Sequence, residues 1–268
     1  MKRSLLYQVG GPDGPDFETL AAEVVLAEEL GVDTVWCFPS SGDDGSFRGS
    51  APEIWLAALA ERTRCVRLGW GIGELLPPER PPMRVAEQGA SLDLASEGRL
   101  EVALLPEGEL SGDWAEGYRM IVDMWDAPTF SWGSERFEVR PIDVVPKPHQ
   151  KPHPALWLVG WSDDHARAAG RGGLAYLDVS GANDEAIEIH RDAYAEGRGE
   201  ASPEDLVSVR NFAALGDFPP GDESNERLAR WEALQVDHAI LRAGPVDGGT
   251  EEVRTQIRAF TDGARDLH

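Results

Sequence analysis

Short apolar runs alternate with amphipathic stretches eight times along the chain. The runs are SLLYQVG (4–10), TVWCFPS (34–40), VRLGWGIG (66–73), LEVALLP (100–106), ALWLVGW (155–161), LAYLDVS (174–180), VSVRNFAAL (207–215) and HAILRAG (238–244). Near-continuous apolarity marks strands covered on both faces. Gly, Pro or Ser at several ends stops the strand and allows a tight loop. Between the runs, apolar residues recur at helical spacing, as in Phe17, Leu20, Val24 and Ala27, or Val253, Ile257, Phe260, Ala264 and Leu267. Start signals accompany them. Asp16 is placed to cap 17–30, and Ser50 with Glu53 forms a capping box around Pro52. Ser162, Asn183, Ser202 and Thr250 are further N-cap candidates, and Gly98 suits the end of a helix over 84–96.

Strands alternating with helices predict a parallel sheet. Eight such units in 268 residues predict a single α/β domain, a closed (β/α)8 TIM barrel. A barrel of this kind builds its site at the C-terminal ends of its strands. Residues 107–154 break the rhythm. They hold a helix around 113–126, with Trp114, Tyr118, Ile121 and Trp125 at helical spacing, then a hairpin-like FSWGSERFEV (130–139) and a Pro-rich VVPKPHQKPHP (144–154). The stretch is expected as an insertion after the fourth strand, on the site face, where long loops often serve as lids or substrate walls.

Composition narrows the function classes. Lys plus Arg is 25 against 48 Asp plus Glu, a net charge of −23, so the basic footprint of a nucleic-acid binder is missing. No stretch approaches the roughly 18 apolar residues of a membrane span. The basic N-terminus MKRSLLYQVGGPDG has too short an apolar run for a signal peptide. Cys37 and Cys65 both lie in apolar strand-like runs, so no disulfide framework is indicated and a cytoplasmic location is expected.

Three segments go further: 56–104, 118–125 (YRMIVDMW) and 144–173. Within them Leu76–Pro77, Pro82, Arg84–Glu87, Leu92–Asp93 and Ser96–Arg99 follow one another in a set order. That order resembles the bacterial-luciferase-like family of flavin- and deazaflavin-dependent oxidoreductases. The resemblance implies the same barrel, dimerised through the helices over 51–62 and 84–96. It implies a flavin ring against the third and fourth strands at Gly71, Ile72 and Leu105. The phosphate would lie toward Gly160, Trp161 and Ser162. Some strand ends depart from the family. Pro39, Ser40 and Ser41 stand where many members carry an acid and histidines, Leu105–Pro106–Glu107 replaces a Gly-rich turn, and Trp161 replaces the second of two glycines.

The residues themselves admit plainer readings. Ser162 opens a helix, whose N-terminus favours an anion, but Asp163 and Asp164 oppose one. Gly69–Trp70–Gly71–Ile72–Gly73 lacks dinucleotide-fingerprint spacing and reads as backbone open to close approach by a flat ring. The turn GPVDGGTEE (244–252) after Arg242 reads as a turn and cap rather than an anion site. Cys37 reads as a small buried hydrophobe. Glu74, Glu107 and Asp178 are carboxylates at strand ends, where burial can raise a pKa toward acid/base use. His149 and His153 are separated by proline, which forbids a shared helical face, so no metal site is expected.

Three functions stay open. The first is a monooxygenase acting on a small organic substrate with reduced FMN and oxygen, served by a flavin reductase. The second is hydride transfer with a deazaflavin. The third is a catalytically silent homologue without cofactor, acting as a partner subunit or binding protein. Catalytic residues are unassigned.

Overall fold

The computed structural model describes residues 1–10, 14–40, 51–73, 81–106, 114–181, 183–201, 211–244 and 250–262, the side chain of Trp114 excepted. Eight parallel strands close into a barrel: β1 (Lys2–Val9), β2 (Thr34–Pro39), β3 (Arg67–Ile72), β4 (Leu100–Leu104), β7 (Ala155–Gly160), β8 (Ala175–Asp178), β9 (Phe212–Gly216) and β10 (His238–Arg242), with β10 pairing back onto β1. All eight lie on the expected runs. Around them pack α1 (Phe17–Glu29), α2 (Pro52–Arg62), α3 (Pro82–Ala95), α4 (Trp114–Asp126), α5 (Asp163–Arg171), α6 (Asp184–Glu200), α7 (Asp222–Ala233) and α8 (Thr250–Asp262). β5 (Phe130–Gly133) and β6 (Glu138–Ile142) form a separate antiparallel hairpin. Among the described residues, no helix is long and apolar enough to cross a membrane.

Alternation along each strand sorts the apolar residues into two shells. Leu6, Trp36, Ala103, Trp157, Leu177 and Ile240 point into the barrel. Leu5, Val35, Cys37, Leu68, Ile72 and Tyr176 point out, against the helices. Helix starts follow local chemistry. Asp16 accepts from the Thr19 amide at 2.9 Å, Ser162 caps α5 through His165, and Asn183 caps α6 through Ala186. Three expectations are corrected. α2 has Ala51 at its N-cap with no side-chain bond, α3 begins at Pro82, and Thr250 is the first helical residue of α8. Ser41, Ser50, Glu74, Leu76–Pro77, Glu107, Ser202, the core of the 244–252 turn, Ala264 and Leu267 lie outside the described residues.

The insertion after β4 divides into unlike parts. α4 stacks on α3 as the barrel's fourth helix: Trp125 donates to the Ala86 carbonyl at 2.9 Å and lies over Gly89. The Pro-rich run after the hairpin returns to the N-terminal end of the barrel, away from the expected site face. There Gln150 bonds the Leu100 carbonyl, Arg67 and the buried Asp93. His149 packs beside Gly98, and His153 stacks on Trp125 with ring centroids 6.1 Å apart. Arg99 ties the same end together, bonding the carbonyls of Ala60, Val66 and Ser96. Leu92–Asp93 and Ser96–Arg99 are therefore scaffold at the closed end of the barrel.

Candidate functional site

A cavity of 270 Å³ opens at the C-terminal mouth of the barrel. Its walls come from the C-terminal ends of seven of the eight strands, with none of the described β3 residues among them. Phe38 and Pro39 come from β2, Leu105 and Pro106 from the end of β4, and Val159 and Trp161 from β7. Val179 and Leu215 close the far side, and Gln8 and Arg242 supply the polar atoms. Trp161 stands at the rim, 44% exposed, with its ring on His165 at 4.4 Å between centroids.

The floor is aromatic. Trp36 meets Trp157 edge to face at 5.5 Å, and Trp157 meets His238 at 5.3 Å. These rings fill the barrel interior because β3 carries glycine opposite them. Trp36 pairs directly with Gly69, and a Cβ there would overlap the indole. Likewise Phe38 covers Gly71. The space that the β3 glycines leave is taken by β2 side chains from the same chain, not left open to a flat ligand.

The six expected cofactor residues separate accordingly. Leu105 and Trp161 line the cavity. Gly71 faces inward beneath Phe38. Ile72 is fully buried in the outer shell. Gly160 also faces that shell, where a Cβ would meet the Tyr176 hydroxyl at 2.8 Å and crowd His165. Ser162 is engaged as the α5 cap: its hydroxyl lies 2.6 Å from His165 Nδ1. Asp164 turns away to solvent, 3.4 Å from Arg167, so it does not crowd the helix start.

Other candidates lie off the mouth. Cys37 faces the helices, and burial pushes its thiol up to about 12. Asp178 points under α6, where Oδ2 lies 2.5 Å from His190 Nδ1 and Oδ1 accepts from the Ser180 amide at 2.8 Å. That carboxylate holds the His190 imidazole above its usual value, against the opposing effect of burial. The pair braces the strand end beside Val179 without reaching the cavity. Gln8, Phe38 and Val159, which no motif marks, also line the wall, and Arg242 joins them from the end of β10. Alternation by twos is visible in the sequence, but the phase that turns these four inward is set by the barrel.

The molecule is similar to known proteins. The family model described as luciferase-like monooxygenase matches residues 4–219. An N-acetyl-S-alkylcysteine monooxygenase of Bacillus subtilis is 27% identical over 213 residues, 76% of this chain and 58% of its own. An F420-dependent glucose-6-phosphate dehydrogenase of Amycolatopsis mediterranei is 27% identical over 192 residues, 65% of this chain and 56% of its own. The chain thus spans little more than half the length of these curated relatives. A solved monooxygenase structure from Streptomyces bottropensis has a TM-score of 0.78 at 20% identity, covering 99% of both chains. An F420-dependent secondary alcohol dehydrogenase has a TM-score of 0.76 at 14% identity, covering 100% of this chain and 99% of its own. At these identities the structural likenesses establish the fold.

Proposed function

The chain belongs to the luciferase-like monooxygenase family, and from that premise we propose that it is a flavin-dependent monooxygenase acting on a small organic substrate. The apolar cavity at the C-terminal mouth carries this reading. Among the described residues its walls are apolar apart from Gln8 and Arg242, which fits a planar ring system, and its volume lies just below the roughly 300 Å³ where ligand pockets usually begin. Leu105, Pro106 and Trp161 would hold the ring, which when bound would supply the activation of oxygen. The chain's own contribution is to orient the ligands and exclude water, because Phe38, Val159 and Leu215 offer bulk and no proton. A monooxygenase needs such a dry site more than it needs an acid or base from the protein. Hydride transfer with a deazaflavin is the second reading, motivated by relatives described as F420-dependent.

Titration of the purified protein with FMN and with the deazaflavin, followed by tryptophan fluorescence, separates the two. FMN is expected to bind and quench. A Trp161→Gly variant should bind it about 3- to 10-fold more weakly, the worth of one aromatic contact. Binding of the deazaflavin alone would replace the first reading with the second. Failure of both to bind would leave the catalytically silent homologue.

We propose further that two copies join through α2 and α3, where Ile54 is 66% and Leu94 44% exposed. Large apolar side chains exposed on adjacent helices suit a partner's surface. Sedimentation velocity should give the mass of two chains, and Ile54→Asp with Leu94→Asp should give one. A wild-type monomer at micromolar concentration would refute the dimer.

A further inference from the structure

Arg242 ends β10 on its inward face and lines the mouth cavity. Three observations set it apart. None of the described residues lining that cavity is acidic, in a chain with 48 carboxylates and a net charge of −23. The guanidinium has no ion pair or hydrogen bond among the described residues, which is also true of Arg119 and Arg140, but of these three it is Arg242 that lines the cavity. Its neighbour across β1 is Leu6, and Gln8, one inward step on, places an amide at the same rim.

We propose that the mouth takes an organic anion. An apolar body enters against Leu105, Val159 and Trp161, and an anionic head is held by Arg242. The inference rests on the cavity being the ligand site and adds the charge class of what it accepts. A guanidinium is charged at every physiological pH and its fork matches a carboxylate or phosphate with two parallel hydrogen bonds. Arg242 is itself exposed at the rim, so it meets the anionic head there while the apolar body goes deeper. A neutral ligand of the same shape gains nothing from it. The head belongs either to the substrate, as a carboxylate, or to the cofactor, as its phosphate.

Two ligand pairs of matched shape test this, titrated by tryptophan fluorescence into wild type, Arg242→Gln and Arg242→Lys. The pairs are benzoate with benzamide and FMN with riboflavin. Wild type is expected to prefer the anion of at least one pair about tenfold or more, the worth of a hydrogen bond to a charged group. Arg242→Gln should abolish that preference by weakening the anion alone, and Arg242→Lys should restore part of it. Preference for benzoate assigns the head to the substrate; preference for FMN over riboflavin alone assigns it to the cofactor. Equal binding within both pairs by wild type, or a preference that survives Arg242→Gln, overturns the proposal. The flavin reading fails separately, if neither riboflavin nor FMN binds while benzoate is still preferred.

Discussion

Gly197→Ala is expected to lower the melting temperature by roughly 6–12 °C, corresponding to a loss of about 3 kcal/mol. Gly197 lies on α6 where it crosses α5, and a Cβ there would fall on the Arg167 carbonyl. The contact is mutual. A Cβ on Gly170 of α5 would come within 2.5 Å of the Tyr194 carbonyl oxygen and 2.6 Å of the Arg198 nitrogen on α6. Both partners are backbone, which cannot rotate away as a side-chain tip can, so a methyl group forces the helix axes apart. α5 begins two residues after Trp161, so its displacement also moves one wall of the mouth. Gly199→Ala on the same helix is the control. None of the described residues lies within 4 Å of a Cβ there, and alanine should stabilise that position by up to about 1 kcal/mol. Thermal melts of the two variants side by side decide the matter. Equal tolerance would show that the helices do not meet backbone to backbone.

Acid should destabilise the protein through His238. The ring sits inside the barrel beneath Trp157, with its Nδ1 3.4 Å from the Ser4 hydroxyl and no partner at Nε2 among the described residues. Burial first, then the nearby charges of Lys2, the N-terminus and Arg67, hold its pKa down to about 3. The unfolded chain takes up this proton near the ordinary pH of 6.5, and the folded chain does not. Stability is therefore full above that pH and declines as the pH falls, until the folded ring protonates in its turn. The whole span is worth roughly 5 kcal/mol, of which about 2 kcal/mol is lost by pH 5. His238→Leu, of similar volume, cannot titrate. Urea midpoints measured from pH 7 to pH 4 should fall less steeply for the variant than for wild type. Parallel decline would place the ring in contact with water or a buried anion.

The barrel was legible because its cause is local. A strand covered on both faces must be apolar along its whole length, and a helix lying on it must be apolar on one stripe. SLLYQVG and HAILRAG satisfy the first demand and lie side by side as β1 and β10. Asp16 and Asn183 could be recognised as caps because the cap bond spans only three residues. Residues 113–126 also read as a helix, yet their place as the fourth barrel helix did not show. That place depends on Trp125 reaching Ala86, 39 positions away.

The site was only half legible. Leu105 and Trp161 line the mouth cavity, whereas Gly71 lies beneath Phe38 and Ile72 and Gly160 face the outer shell. A glycine in a strand announces that something comes close, but it does not say what. At Gly71 the close neighbour is Phe38, and at Gly160 it is Tyr176 with His165. Sequence alone determined the alternation of strands and helices, the order that marks the family, and the acidic surface charge. Only the tertiary structure decided which side of each strand faces the cavity, which aromatic fills which gap, and that Arg242 reaches the mouth. Periodicity is a property of neighbours along the chain. Occupancy of space depends on residues far apart in it, brought together by the closure of β10 onto β1.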